Sequence, residues 1–538
     1  MHLKNDDLTK LELWDQADIL LPKFDRKAVL ASTRISPVWV HFGAGNIFRA
    51  FPAVLQQRLL DHSLAQSGIV VVEGYDTEII DRMYHPYDDM CLLVTLKSDG
   101  SIEKNVIGSI AESLKIDTFD SSDVSRVKEI FRSASLQIVS FTITEKGYSL
   151  VNGKGEMLPD VLKDLVAGPS IPKSYIGKIA ALLVERYTHG KYPIALVSLD
   201  NCSHNGTMLH NAIQPFAQKW TELGLVEKGF AAYIDDPESV SFTWSMIDKI
   251  TPRPDESVQQ MLHDVGFEDT QRIITKKNTY IAPFVNAEEA QYLIIEDNFP
   301  NGRPALEKVG VIFTDRQTVD KVEKMKVCTC LNPLHTALAI FGCLLGYSKI
   351  SDEMRDDDLR RMVEIIGYIE GLPVVVDPGI LSPKAFIDEV IQTRIPNPFM
   401  PDTPQRIATD TSQKLAIRFG ETIKSYVARD DLDVSTLRLI PFVLAGWCRY
   451  LLGIDDDGNP FTVSSDPVLE TLHQHIKGLV LGQSGPFDKI LYPILSNTTF
   501  FGIDLIEIGL GKIILDDFSE MMYGPGAIRK ALHKQVDN

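Results

Sequence analysis

Residues 38–49 read VWVHFGAGNIFR, and this stretch decides which fold we expect. Residues 38–42 form an apolar run typical of a buried strand, and an amphipathic helix pattern follows the glycines. Gly43 permits a tight turn, and Gly45 lets a pyrophosphate approach backbone N–H groups at the positive end of the helix. Phe48 replaces the third glycine of such a turn, so the motif alone is also compatible with an ordinary connection between a strand and a helix.

Three further runs of the same kind follow, at residues 69–73, 136–142 and 193–199. Residues 174–187 lie between the last two runs and have apolar side chains in helical register, which indicates a helical crossover between parallel strands. Short apolar runs that alternate with amphipathic stretches are typical of a parallel sheet covered by helices on both faces. The sequence therefore predicts an α/β fold with a Rossmann-type parallel sheet.

From about residue 316 the pattern changes to apolar and charged residues at spacings of three and four, as in residues 354–369 and 412–428. Strand-like runs become scarce there, so we expect a mostly α-helical second domain. The predicted division is a Rossmann-type NAD-binding domain at 1–316 and a helical substrate and catalytic domain at 317–538.

Composition narrows the function classes. The chain of 538 residues has 54 Lys plus Arg against 73 Asp plus Glu, a net charge of −19, which disfavours nucleic acid as a partner. Six cysteines without a C-x-x-C pair fit a reducing compartment, and we expect the cytoplasm. The N-terminus lacks an apolar signal region and the longest apolar stretch, 336–347, is about twelve residues, so we expect no signal peptide and no membrane span.

Candidate cofactor-binding residues come first from the turn and from the end of the next strand. A carboxylate at that strand end accepts hydrogen bonds from the adenosine ribose and repels a 2′-phosphate, which favours NAD over NADP. Either acid could instead be an ordinary surface residue. The candidates are Gly43, Gly45, Asn46, Phe48, Glu73 and Asp76.

Polar segments follow the third and fourth runs, at residues 142–148 and 200–206. Ligands of open α/β sheets bind beyond the carboxyl ends of the strands, so we expect the nicotinamide and the substrate near these segments, with Thr144 on the cofactor side. Asn201 and Asn205 could instead be turn residues that satisfy local backbone groups.

Residues 323–335, EKMKVCTCLNPLH, place a lysine, an amide and an imidazole before a very apolar stretch. A lysine amine buried in such a segment can serve as a general base. Structurally, Asn332 followed by Pro333 could simply open a helix, with His335 in its first turn. Cys328, Cys330 and His335 have no fourth ligand nearby, so we expect no metal site.

Taken together, these motifs resemble the polyol-specific long-chain dehydrogenases and reductases, the mannitol dehydrogenase family. The resemblance extends from the glycine turn to near the C-terminus. Matching stretches are GAGNIFRAF, VTLKSDG, IGSI, IVSFTITEKGY, VSLDNCSHNG, SMIDKITP, IIEDNFPNGRPALEKVGVIFTD, EKMKVCTCLNPLHTALAIFGCLLGY, RIPNP and WCRYLLGIDDDG.

The resemblance implies metal-independent hydride transfer between NAD and a sugar-derived alcohol, in a cleft between the two domains. The family's general base is a lysine three residues after a glutamate, which here corresponds to Glu323 and Lys326. The family has an asparagine five residues after that lysine, whereas Asn332 lies six after Lys326, so one residue is inserted and Lys324 is the alternative base. His335 keeps the family's spacing from the asparagine.

Further site residues are implied by the same resemblance. Asn201 corresponds to the second amide that holds the substrate oxygen, and Asp248 to the acid near the cofactor end of the site. Arg406 and Lys414 correspond to the residues that hold the distal oxygens of the substrate. The motif between them has Thr411 where the family usually has glycine.

These expectations lead to a specific reaction, the reduction of the keto-sugar acid D-fructuronate to D-mannonate with NADH. Two cations in the distal part of the site suit a carboxylate, although they also suit hydroxyls. The alternatives are a mannitol or arabinitol 2-dehydrogenase that acts on uncharged polyols, a tagaturonate reductase, and a non-catalytic dinucleotide-binding relative. We expect a small-molecule partner only, and a monomer or small homo-oligomer.

Overall fold

In the computed structural model, which describes residues 1–119 and 121–537, six parallel strands form the central sheet of the N-terminal unit. The strands are β1 Trp39–Phe42, β2 Ile69–Glu73, β3 Ile110–Lys115, β4 Ile138–Phe141, β5 Ile194–Ser198 and β6 Val240–Thr243. Their order in the sheet is β3-β2-β1-β4-β5-β6, the doubly wound order of dinucleotide-binding folds. The predicted Rossmann-type α/β fold is therefore confirmed.

Both faces of this sheet are buried, which explains why most positions of its strands are apolar. In β1, Val40 and Phe42 face one hydrophobic core, and Trp39 faces another. Val40 lies opposite Val70 of β2 on one side and opposite Val139 of β4 on the other. Parallel pairing on both sides places β1 at the centre, with β4 as its neighbour where the strand order reverses.

Helices cover the two faces of the sheet. The crossover helix Tyr175–Thr188 connects β4 to β5 as predicted, and the Ser174 side chain caps its first turn by accepting the Gly177 N–H. Other helices of this unit are Arg26–Ile35, Ser122–Arg132, Pro159–Ala167, Asn205–Glu222, Phe230–Asp235 and Glu256–Asp264.

The helix after the glycine turn differs from the prediction, because it is divided into Asn46–Ala50 and Pro52–Asp61. Phe51 separates the two segments with φ −134° and ψ −73°. Proline has no backbone N–H and suits the first turn of a helix, so Pro52 begins a new helix rather than continuing the old one.

Smaller sheets complete the N-terminal unit. Their strands are Ile19–Leu20, Ile102–Ile107, Cys91–Leu96 and Phe284–Glu288 in one sheet, Ser245–Asp248, Tyr292–Glu296 and Ile312–Thr314 in a second, and Ile273–Ile274 with Tyr280–Ile281 in a third. The chain divides into a unit of residues 1–97 and 101–320 and a unit of residues 98–100 and 321–538.

The C-terminal unit is helical, as expected. In its core Phe341 stacks on Phe442 with ring centroids 5.0 Å apart, and Gly446 lets these two helices approach closely, since a Cβ there would lie 2.8 Å from the Phe341 ring. The α-helices are Asn332–Leu344, Ile350–Glu353, Asp357–Glu364, Pro383–Glu389, Pro404–Ile407, Glu421–Ala428, Leu439–Tyr450, Leu469–Ile476, Asp488–Leu495, Thr498–Phe501, Gly511–Met521 and Ala527–Asp537.

Four π-helical segments interrupt these helices, where the backbone bonds run from residue i to i+5. They are Met325–Cys330, Ile365–Gly371, Val390–Arg394 and Ala416–Gly420. The stretch 412–428, which has the spacing of a helix, is therefore a short 3₁₀ turn, a π-segment and an α-helix in succession.

The helical run Arg316–Leu344 has 29 residues and is apolar enough, by length and composition, to cross a membrane. Of its most apolar window, 72% is buried inside the protein. A buried helix in a protein core passes the same test of length and composition, so this run is weak evidence for a membrane span.

Candidate active site

The glycine turn lies where the strand order of the sheet reverses. Gly43 follows β1 with φ +108°, and a Cβ there would lie 2.3 Å from the carbonyl oxygen of Thr142, which follows β4. The turn therefore requires glycine at this position. At Gly45 a Cβ would meet no atom within 4 Å, so this side of the turn is open, as the approach of a pyrophosphate would need.

Buried side chains pack and hydrogen-bond beneath the glycine turn. Phe48 is fully buried and stacks on His41 with ring centroids 4.4 Å apart. His41 bonds to Ser140 and Thr142, and burial lowers its pKa to about 3, so a neutral imidazole sits inside the strand. The Asn46 side-chain oxygen accepts a bond from Arg49. Phe48 thus fills the place of the missing third glycine with core packing.

Glu73 at the end of β2 is tied to the backbone of the turn. One carboxylate oxygen accepts the Ala44 N–H at 2.8 Å, and the other accepts the N–H groups of the three residues that follow Glu73, at 2.8–3.1 Å. Asp76 accepts the hydroxyls of Thr275 and Thr279, both at 2.6 Å. Both predicted ribose acids therefore also hold local structure.

Asp200, which the sequence reasoning did not select, organises the ends of β4 and β5. Its carboxylate accepts the N–H groups of Ile143 and Thr144, both at 2.9 Å, and the Tyr148 hydroxyl at 2.6 Å. Burial raises the pKa of Asp200. The bond to Thr144 supports a backbone with φ +64°, an uncommon value outside glycine. An acid directly after a buried strand was the available signal for this role.

Asn201 follows Asp200 and is exposed, whereas Asn205 is buried. The Asn205 amide bonds to the carbonyls of Ser198, Asp200 and Ser245, so it joins two strand ends as a structural residue. Asp248 is buried at the end of strand Ser245–Asp248 in the same unit.

Lys326 lies in the π-segment Met325–Cys330 and has 3% of its surface exposed, whereas Lys324 is exposed. The Leu331 N–H bonds to the Lys326 carbonyl at 3.1 Å, an i→i+5 bond. A turn closed by such a bond holds one residue more than an α-helical turn. The extra residue between Lys326 and Asn332 therefore lies in this widened turn, and Leu331, with φ −128° and ψ −61°, separates it from the next helix.

Asn332 and His335 begin the helix Asn332–Leu344. Leu331 occupies the N-cap, and the Asn332 side chain makes no capping hydrogen bond, so capping does not account for the asparagine. The Asn332 carbonyl accepts the Thr336 hydroxyl at 2.8 Å. Within the described residues the Asn332 side-chain amide donates to no other group, which leaves it available to a ligand.

His335 is a neutral imidazole beside several cations. Burial, and then the charges of Arg418, Arg406, Arg394 and Lys414, lower its pKa to about 3. The Asp402 carboxylate lies 3.5 Å from its Nε2, and because the imidazole is neutral this contact is a hydrogen bond at most rather than an ion pair. His335 can therefore orient a substrate hydroxyl but cannot supply a proton as an imidazolium at neutral pH.

Arg406 and Lys414, the predicted distal pair, have different surroundings. Arg406 is exposed and pairs with Asp402, so its charge is already balanced. The Lys414 ammonium donates to the Thr409 carbonyl and, at 3.5 Å, to the Ile407 carbonyl, and burial followed by the charge of Arg418 lowers its pKa. Arg418 was missed by the sequence reasoning, although it lies one helical turn after Lys414.

No group of three or more His, Cys, Asp or Glu is arranged to hold a metal ion within residues 1–119 and 121–537. Burial raises the pKa of the Cys330 thiol to about 12, so it remains protonated and is a poor metal ligand at neutral pH.

Two family signatures cover most of the chain: the mannitol dehydrogenase Rossmann domain matches residues 37–308, and the mannitol dehydrogenase C-terminal domain matches residues 318–507. The chain belongs to the mannitol dehydrogenase family. The resemblance inferred from the sequence motifs is therefore confirmed.

Relatives within this mannitol dehydrogenase family include sugar-acid and polyol enzymes. The chain is 51% identical to a D-mannonate oxidoreductase of Thermotoga maritima over 538 residues, covering 100% of this chain and 99% of the relative. A D-mannonate oxidoreductase of Escherichia coli is 28% identical over 93% of each chain. A mannitol 2-dehydrogenase of Emericella nidulans is 30% identical, over 87% of this chain and 86% of the relative.

Among solved structures, the mannitol 2-dehydrogenase of Pseudomonas fluorescens in ternary complex with NAD and D-mannitol has a TM-score of 0.69 at 26% identity, covering 100% of this chain and 99% of that chain. A substrate-free D-sorbitol dehydrogenase has a TM-score of 0.79 at 25% identity, over 96% and 98%. These relatives support the predictions that this mannitol dehydrogenase family member is an oxidoreductase acting on secondary alcohols and that its cofactor is NAD.

Proposed function

We propose that this chain interconverts D-fructuronate and D-mannonate with NADH and NAD. The observation that carries the proposal is the 51% identity, over the whole length, to a D-mannonate oxidoreductase. The mannitol 2-dehydrogenases that match are about 30% identical. A sugar acid also suits a C-terminal unit in which four cations surround His335.

In this proposal the two domains bind different reactants. The domain at 1–316 holds NAD and the domain at 317–538 holds the substrate and the acid–base group. The turn fits a dinucleotide because it is open at Gly45 and has the Glu73 carboxylate at the neighbouring strand end. The residues assigned to the cofactor are Gly43, Gly45, Asn46, Glu73, Asp76, Thr144 and Asp248, and Phe48 supports the turn through its core packing.

Lys326 is the proposed acid–base group. When bound, NADH supplies the hydride for reduction. The Lys326 ammonium then protonates the new alkoxide oxygen, and in the opposite direction the neutral amine removes the hydroxyl proton. Its burial favours this assignment over the exposed Lys324.

Two amides and an imidazole complete the proposed machinery. Asn201 and Asn332 donate N–H groups to the developing alkoxide, and each such donor contributes on the order of 3 kcal/mol to transition-state stabilisation. The neutral imidazole of His335 orients the substrate beside the reacting oxygen. Arg406 and Lys414 hold the distal oxygens.

The reaction is tested by steady-state assays with NADH and three keto-sugars: fructuronate, tagaturonate and fructose. We expect the highest kcat/KM with fructuronate. A higher value with fructose supports a mannitol or arabinitol 2-dehydrogenase, and a higher value with tagaturonate supports that reductase. Absence of turnover with any keto-sugar or polyol supports a non-catalytic relative.

We also propose that the protein is located in the cytoplasm and is a monomer or a small homo-oligomer. None of the six cysteines forms a disulfide in the described chain, which suits a reducing compartment.

A further inference from the structure

Arg418 belongs to the same part of the C-terminal unit as the proposed catalytic residues. Its π-segment Ala416–Gly420 packs against the π-segment that carries Lys326 and against the helix that begins with Asn332. One guanidinium nitrogen donates to the Thr336 hydroxyl, which in turn donates to the Asn332 carbonyl. Its backbone N–H bonds to the Lys414 carbonyl at 2.9 Å.

The guanidinium of Arg418 has unusually few partners for a part-buried charge. Besides Thr336, no side chain or carbonyl in the described chain accepts a hydrogen bond from it, and no described carboxylate pairs with it. Burial lowers its pKa to about 10, with no acid nearby to offset that effect. A buried cation without a counter-ion is costly, and proteins normally pair such charges.

Other buried arginines of this protein show what a structural arginine looks like. The Arg186 guanidinium makes five hydrogen bonds, all to backbone carbonyls, at 2.7–2.9 Å. Arg126 pairs with the Glu112 carboxylate through two nitrogens. Arg418 does neither, so holding the fold together does not explain its position.

The surroundings of Arg418 are positive. Lys414, Arg406 and Arg394 act on the same imidazole as Arg418 and disfavour its protonation. The Asp402 carboxylate contacts the His335 imidazole, and the same carboxylate pairs with Arg406. Asp410 and Asp466 act on Lys414, so the charge without an acidic partner among the described residues is that of Arg418. An anion with two oxygens matches the fork of a guanidinium.

We propose that Arg418 binds the carboxylate of the substrate and is the residue that distinguishes a sugar acid from an uncharged polyol. This inference rests on the proposed function and adds to it the source of its selectivity. Lys414 assists as a second cation, whereas Arg406 is held by Asp402 and contributes less to the discrimination.

The test compares fructuronate with fructose, which has a hydroxymethyl group in place of the carboxylate. For R418Q we expect kcat/KM with fructuronate to fall by about 10²–10³-fold, because the substrate carboxylate is left without its charged partner. With fructose we expect a change within about threefold, since no charge is lost to that substrate. R418K should recover part of the preference, because it restores the charge without the planar fork.

Two further variants locate the effect. T336V removes the hydroxyl that holds the guanidinium and should lower the preference for fructuronate by about five- to tenfold. R406Q should change the preference less than R418Q does. An equal loss on both substrates in R418Q would make Arg418 structural, and a collapse of the preference in R406Q alone would assign the carboxylate to Arg406. Either result overturns the inference.

A binding measurement separates this inference from the proposed reaction. D-gluconate, a six-carbon sugar acid, is titrated by calorimetry into wild type and R418Q at saturating NADH. We expect Kd to rise by about a hundredfold in R418Q, whichever substrate the wild type reduces. If fructuronate proves a poor substrate but this difference is found, only the proposed reaction fails. If fructuronate is reduced well but gluconate binds both proteins equally, only the inference fails.

Discussion

At the scale of single residues, Lys326 and Lys324 differ chiefly in their environment. Lys326 is buried in the π-segment Met325–Cys330, whereas Lys324 is exposed at the end of the helix Arg316–Lys324. A proton-transfer group needs a protected position, because water competes for the proton and screens the charge that develops during the reaction. Burial, which the sequence did not reveal, therefore favours Lys326 over Lys324 as the proposed acid–base group.

We expect K326A to lower kcat by about 10²–10⁴-fold, the usual contribution of a general acid or base. K324A should stay within about threefold of wild type. Fructuronate reduction by NADH, followed at 340 nm, measures both variants, and NADH binding measured separately shows whether the cofactor site is intact. A K326A enzyme with wild-type kcat would remove Lys326 from the mechanism.

His335 gives a prediction about pH. Its pKa is lowered to about 3, so it is neutral throughout the range from pH 5 to pH 9 and does not change charge there. The profile of kcat/KM against pH should have the same shape in wild type and in H335Q, although the values in H335Q are lower. A limb near pH 6 that is present in wild type and absent from H335Q would show that His335 titrates during the reaction.

At the scale of elements, the π-segment Met325–Cys330 explains how one extra residue is tolerated between Lys326 and Asn332. The extra residue widens the turn that the bond from the Leu331 N–H to the Lys326 carbonyl closes, and the next helix begins after Leu331. The side chains of Val327 and Cys328 in the widened turn are only part-buried, whereas Thr329 and Cys330 are buried. The insertion is thus accommodated towards the less buried side of the turn.

Deleting Cys328 should convert this segment to regular α-helix and leave kcat/KM within about tenfold of wild type, since it restores the family spacing of five residues between Lys326 and Asn332. The matched control deletes Ala339, a buried residue in regular α-helix, which rotates all that follows by about 100° and should prevent folding. Circular dichroism and the assay report both outcomes. A folded but inactive Cys328 deletion would show that the π-turn itself is required for catalysis.

At the scale of the whole molecule, stability depends on a buried acid that the proposed mechanism does not use. Asp517 lies on the helix Gly511–Met521, and burial raises its pKa from 3.8 to about 7. One carboxylate oxygen accepts a bond from Gln535 at 2.8 Å, and the other has no partner within the described residues. The folded state therefore retains a proton that the unfolded chain releases at lower pH.

Because this pKa is raised on folding, the stabilisation from the protonated acid is complete below about pH 4 and is lost as the pH rises to about 7. The loss is at most about 1.4 kcal/mol per pH unit within that window. D517N should therefore raise Tm relative to wild type by more at pH 8 than at pH 5. The exposed neighbour Asp516 provides the control, since D516N should show no such trend. A constant difference between D517N and wild type across this pH range would contradict the assignment.

The sequence by itself determined the features that depend on local pattern. A strand buried on both faces is mostly apolar, and a tight turn with positive φ favours glycine, so residues 38–49 were enough to predict β1 and the turn at Gly43. The family motifs likewise carried the assignment that the comparisons confirm.

Only the tertiary structure decided which side chains are buried together. Phe48 became core packing rather than an open part of the turn, and Glu73 was tied to four backbone N–H groups. Arg418 was placed beside Thr336, with no counter-ion in the part of the chain that the structure describes. Burial and charge balance are sums over neighbours that are distant in sequence. No local pattern contains them, which is why the sequence located the helix of Arg418 but not the significance of its charge.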